Sequence, residues 1–168
     1  MAPPQPAQID RNTALVLIRT TLVALQQANQ TGNYGVLWGI SAPGFQSVNS
    51  PEKLGQIFAN LRAKHFDLSG VVVLEPQLSV LPELYSNGVM RMAGFFPSVP
   101  IQVYFDLQFT LVQGQWKLLA IAVNVAPPVG SAPNTETRPA PARSPEPKPT
   151  PAVDVGKPKQ SPAASPEH

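Results

Sequence analysis

Proton transfer is the chemistry within reach of the ionisable side chains before Ala126. They include one histidine, His65, and six carboxylates: Asp10, Glu52, Asp67, Glu75, Glu83 and Asp106. A general base works only where its side chain meets the proton it removes, so the face each residue occupies decides its use. Asp106 lies in IQVYFDLQFTLV, where alternation sets Ile101, Val103, Phe105, Leu107, Phe109 and Leu111 on one side. Gln102, Tyr104, Asp106, Gln108 and Thr110 take the other. Asp106 then stands level with Arg91 on the preceding strand, and an exposed ion pair worth well under ~1 kcal/mol accounts for it. His65 ends a helix on roughly its apolar side, as a capping or partly buried histidine does. Asp67 follows as a turn cap, and Glu75 and Glu83 each adjoin a proline at a strand end. No catalytic residue is assigned.

Other chemistries lack their parts. Without cysteine there is no disulfide, thiolate metal site or cysteine nucleophile, and a single histidine argues against a histidine-rich metal centre. No paired carboxylates of the glycosidase kind and no glycine-rich phosphate loop are visible. Ser47, Ser50 and Ser69 have no nucleophile context. The net charge of +2 comes from scattered residues, not from the basic stripe of a nucleic-acid binder. No stretch is long and apolar enough for a membrane span. No cofactor is expected.

The elements that must position these residues follow from periodicity. Residues 1 to 8 read as a flexible lead-in. Asp10 caps a helix in which Leu15, Ile18, Leu22 and Leu25, widened by Val16 and Val23, form the apolar face. Arg19, Gln26 and Gln27 take its wet side, and Thr31-Gly32 ends it. A short second helix holds Tyr34, Leu37, Trp38 and Ile40. Ala42-Pro43-Gly44 breaks it, with Phe45 and Val48 pinning a loop. Ser50-Pro51-Glu52 starts a third helix that buries Leu54, Ile57, Phe58 and Leu61.

From Val71 the period is two. VVVLEPQLSVLPELYSNG supplies one or two strands interrupted at Pro76 and Pro82, and Asn87-Gly88 turns into two hairpins. A four-residue loop from Pro97 to Pro100 pairs Met90 with Leu107, Arg91 with Asp106 and Met92 with Phe105. A Gln113-Gly114 turn pairs Phe109 with Leu118, Leu107 with Ala120 and Phe105 with Ala122. The expected fold is α+β: three helices closing one face of a curled antiparallel sheet of four to five strands.

Of the 21 prolines, 12 lie beyond residue 125. Residues 126–168 therefore read as a disordered, Pro-rich tail with polyproline II bias, outside a domain spanning 9–125. The start, MAPPQPAQ, matches what remains when a signal peptide has been removed, which would place the protein in the periplasm or outside the cell. Otherwise it is cytoplasmic.

Three helices before a curled sheet, the short second helix with its Ala-Pro-Gly-Phe break and the closing QGQWKLLAIAV resemble the nuclear transport factor 2-like superfamily, and Ser41 to Phe45, Phe58 to Arg62, Asp67 to Ser69 and Gly94 to Phe109 resemble a group of uncharacterised bacterial proteins of that fold. That is the cone fold shared by ketosteroid isomerase-like and polyketide cyclase-like proteins. The resemblance covers residues 9–125 and implies a pocket between helices and sheet. Tyr34, Trp38, Phe58, Tyr85, Met92, Phe95 and Phe105 are the residues expected to line it, for a small apolar ligand. The opposite sheet face would carry Val89, Ala93, Tyr104, Leu119, Ile121 and Val123, an apolar patch suited to a homodimer. The leading expectation is a bacterial, non-catalytic module that binds a small apolar ligand or a protein partner. An enzyme of the isomerase or cyclase type, or a tethered protein of the cell envelope, are the alternatives.

Overall fold

A computed structural model describes residues 2–128. The Asp10 carboxylate accepts the Thr13 N–H at 3.0 Å and opens α1 (Arg11–Thr31), which Gly32 ends in the left-handed region at φ 73°. Ile18, Leu22 and Leu25 are fully buried, as the periodicity requires, whereas Val16 is exposed. Four short helices follow: α2 (Gly35–Gly39), α3 (Pro43–Val48), α4 (Pro51–Ile57) and α5 (Ala59–Ala63). The expected count of three is corrected to five. Pro43, read as a breaker, instead occupies the first turn of α3, where its missing N–H costs nothing. The expected third helix divides at Phe58, whose backbone leaves helical geometry (φ −94°, ψ 10°) while its ring lies parallel to Tyr34, centroids 6.1 Å apart. The Ser50 hydroxyl accepts the Lys53 N–H, as a helix cap should. Leu54, Phe58 and Leu61 are buried, but Ile57 is exposed.

Val71 to Val73, read as strand, belong to a 3-10 turn (Ser69–Val72) and the residue after it. The sheet is an antiparallel meander of five strands in the order β1 (Gln5–Pro6), β2 (Gln77–Leu84), β3 (Val89–Phe96), β4 (Gln102–Val112) and β5 (Gln115–Ala126). The α+β class and the antiparallel sheet stand as expected. Within the stretch expected to be a lead-in, Gln5 and Pro6 pair with Leu84 and Glu83. β2 runs through Pro82 with two register shifts, and the proline carbonyl still accepts the Ala7 N–H at 2.9 Å.

The first hairpin is two residues out of the expected register. Met90 faces Phe109, Met92 faces Leu107 and Arg91 faces Gln108, because the strands stop at Phe96 and Val103 and the link is longer than four residues. A shift of two preserves the faces. Val103, Phe105, Leu107 and Phe109 are therefore buried against the helices, while Ile101 and Leu111, at the strand's ends, are exposed. The second hairpin begins as expected, with Phe109 opposite Leu118 and Gly114 at φ 78° in the turn. A bulge at Leu119 then moves Leu107 opposite Ile121 and Phe105 opposite Val123. One extra residue reverses alternation, so the rest of β5 presents its odd-numbered side chains to the core. The proline-rich tail expected over 126–168 lies, from residue 129 on, outside the described residues.

Candidate functional site

The seven residues expected to share a pocket do not converge. Tyr34 and Phe58 stack on each other, Met92 and Phe105 fill the core, and the Trp38 indole N–H donates to the Asn49 carbonyl at 2.7 Å. Tyr85 donates its hydroxyl to Glu83 Oε1 at 2.7 Å. Phe95 lies on the opposite face of the sheet, beside Tyr104 at 5.7 Å, because it alternates with the buried Gly94 and Phe96. The space between helices and sheet is packed with Met90, Met92, Leu107 and Phe109, and its buried polar side chains among the described residues are Thr21, Gln26 and Ser41.

A groove of about 690 Å³ lies instead between the C-terminal half of α1 and α5 with the loop after it. None of the seven lines it. Its walls are Gln26, Asn29 and Gln30 from α1, Leu61 and Arg62 from α5, and His65, Phe66 and Asp67 from the loop. The loop is shaped by the end of α5. Phe66 N–H donates to the Leu61 carbonyl at 3.3 Å and His65 N–H to the Arg62 carbonyl at 2.9 Å, the two bonds of a Schellman ending. His65 occupies the left-handed position at φ 48°, where glycine is usual, and its side chain is exposed. It caps the helix through its backbone and not its ring, and it is not partly buried. Gln26, expected on the wet side of α1, is buried. Its amide donates to Asp67 Oδ1 at 2.7 Å, and its carbonyl accepts the Leu68 N–H at 2.9 Å.

Asp67 caps the 3-10 turn as expected, accepting the Ser69 N–H and hydroxyl, both at 2.8 Å. The Ser69 backbone bond, followed by its hydroxyl, holds the Asp67 carboxyl below the ordinary aspartate value. A carboxylate so occupied is a poor proton acceptor. Arg62 donates to the Gly55 carbonyl at 3.0 Å and lies 5.7 Å from the centre of the Tyr34 ring. The Tyr34 hydroxyl donates to Asn29 Oδ1 at 2.6 Å, and burial pushes its pKa up. That bond fixes the Asn29 amide, whose Nδ2 is buried without a partner. The groove surface thus offers donors in the unused Arg62 N–H groups and the His65 ring, and the unpaired Asn29 Nδ2 is buried behind its wall. Sequence periodicity missed Asn29 and Arg62 because each sits on a polar face that reads as solvated.

On the other side of the sheet, the Arg91–Asp106 pair forms, although diagonally. Arg91 Nη2 lies 2.6 Å from Asp106 Oδ2 and Nη1 lies 3.8 Å from Glu83 Oε1. The bond to Asp106, and after it the Tyr85 hydroxyl, hold the guanidinium above its ordinary value. Val89, Ala93 and Tyr104 share this face as expected, but three of the six patch residues leave it. Ile121 and Val123 pack against the core, and Leu119, at the bulge, leans on Gly44 of α3.

Fold and groove together define an α+β domain with a five-stranded meander and a donor-lined groove among its helices. Searches against models of known protein families, curated proteins and solved structures find no match. Among the described residues no helix is long and apolar enough to cross a membrane, and no three histidine or carboxylate side chains are grouped to hold a metal ion.

Proposed function

We propose that this chain is a non-catalytic binding module of the nuclear transport factor 2-like cone type. Its α1–α5 groove takes a small ligand with an apolar body and a carboxylate. The observation that carries the reading is the Asn29 amide, buried in the groove region with its N–H groups unpaired and tied through Tyr34 to Arg62. A buried donor left unmade costs about 1–3 kcal/mol, which a ligand carboxylate that parts the groove wall to reach it would recover. Arg62 supplies the charge complement, and Leu61 and Phe66 supply apolar wall. The cone assignment is supported by helices closing one face of a curled meander, and by the residues from Gly94 to Phe109 that carry the resemblance. The apolar pocket inside the cone gives way in this reading to the groove beside it.

The probe is octanoate, with octanol as the uncharged control, followed by NMR on the full chain. Octanoate is expected to shift the Asn29 side-chain amide and the Arg62 Nε–H signals, and Asn29→Ala and Arg62→Gln each weaken it by about tenfold. Octanol binding equally well would remove the carboxylate from the proposal. Saturating octanoate that leaves both signals unmoved would remove the groove.

A further inference from the structure

We infer that the bare edge of β5 pairs with the same edge of a second copy of this chain, antiparallel, about a two-fold axis at Ala122. The two edges of the sheet differ. β1 is two residues long and contains Pro6, whereas β5 is twelve residues long. Among the described residues only the start of β5 is covered, where the Ala42 N–H donates to the Leu118 carbonyl at 2.8 Å.

That one bond also gives the direction of the rest. It shows that Leu118 aims its backbone groups away from β4. β4 continues without a break from Phe109 through Leu107 to Phe105, so the residues opposite these, Ile121 and Val123, aim away from β4 as well. Val125 shares their direction, but its N–H is taken by Asn124 Oδ1 at 2.9 Å. Ile121 and Val123 have no such backbone partner outside the ladder among the described residues.

A second copy fits this edge for three reasons. With the axis at Ala122, Ile121 faces the partner's Val123, so the residues with open donors and acceptors meet each other. Leu118 to Ala126 carries no charge, and Lys117 would face the partner's Pro127, so no like charges are opposed. Long edges in stable proteins are blunted by charge, proline, a bulge or a covering element, and past the bulge at Leu119 the stretch from Ala120 to Ala126 has none of these among the described residues. A two-fold axis across the sheet also keeps both helix layers on one side. The groove of about 380 Å³ between β5 and α4–α5, lined by Ile57, Leu61, Ile121 and Val123 with Asn60 and Lys64 at its polar side, then lies at the seam. The 53% exposed side chain of Ile57 is apolar surface that the partner would cover.

The test uses the full chain, light scattering and amide exchange. Ala122 is exposed on the outer face opposite Asp106, so Ala122→Lys leaves the fold intact but sets two like charges against each other across the axis. Expected are a dimer for the unaltered chain at micromolar concentration, monomers for A122K and A122E alone, and a dimer when the two are mixed. The Ile121 and Val123 amides should exchange slowly in the dimer and quickly in A122K. A monomeric unaltered chain overturns the proposal. So does an A122K protein that still dimerises, which would place the interface elsewhere. Slow exchange at both amides in a monomer overturns it too, since another segment would then be covering the edge.

Discussion

His65 illustrates how a residue's backbone can matter more than its ring. The sequence places it at a helix end, and its imidazole invites a reading as base or cap. What it does locally is take the left-handed position that lets the chain double back along α5 and form one wall of the groove. An L-residue pays roughly 1–2 kcal/mol there, and glycine would lose some of that advantage through its freer unfolded chain. His65→Gly is therefore expected to raise stability by about 0.5 kcal/mol in urea unfolding and to weaken octanoate. A loss of more than about 1 kcal/mol would mean that the ring makes a stabilising contact. Asn29 and Gln26 were harder to read than His65. An amide on a helix is polar by type, and only the neighbouring loop decides that Gln26 is buried between Asp67 and Leu68 while Asn29 is left half paired.

Elements were legible where their pattern has one period and obscure where it has two. β4 alternates strictly, so its core face was readable even with the hairpin register wrong by two. β5 was not, because Leu118 to Val123 is apolar in both phases and nothing in LLAIAV marks the residue that bulges. The bulge is set from outside, by the bridge from Ser41 to Leu118 and by Leu119 against Gly44. β3 carries its own external constraint at Gly94. A Cβ there would stand 2.2 Å from the Gln77 carbonyl oxygen and 2.9 Å from the Leu78 Cα, both backbone atoms of β2. Neither can step aside without parting the strands. Gly94→Ala is expected to cost about 3 kcal/mol or more, or to prevent folding. A thermal midpoint unchanged from the parent would show that β2 gives way freely.

At the scale of the molecule, three carboxylates hold the beginnings of elements, which makes the fold acid-sensitive in a definite direction. Asp10 opens α1, Glu52 lies in the first turn of α4 and Asp67 caps the 3-10 turn. Each is held below its ordinary pKa: Asp10 chiefly by the Thr13 hydroxyl, Glu52 by its own N–H and then the Ser50 hydroxyl, Asp67 by Ser69. A carboxyl whose folded pKa is depressed contributes stability that is fully present above its unfolded value, near about 4, and is lost as the pH falls through the folded value. The urea midpoint should therefore hold steady from neutrality down to about pH 5 and fall below it. Asp67→Asn removes one of the three, so its midpoint should fall less steeply below about pH 4 than the parent's. Because Asp67 also receives the Gln26 amide, its protonation loosens the joint between α1 and the groove loop. A midpoint as high at pH 3 as at pH 7 would mean that these caps add nothing to the fold.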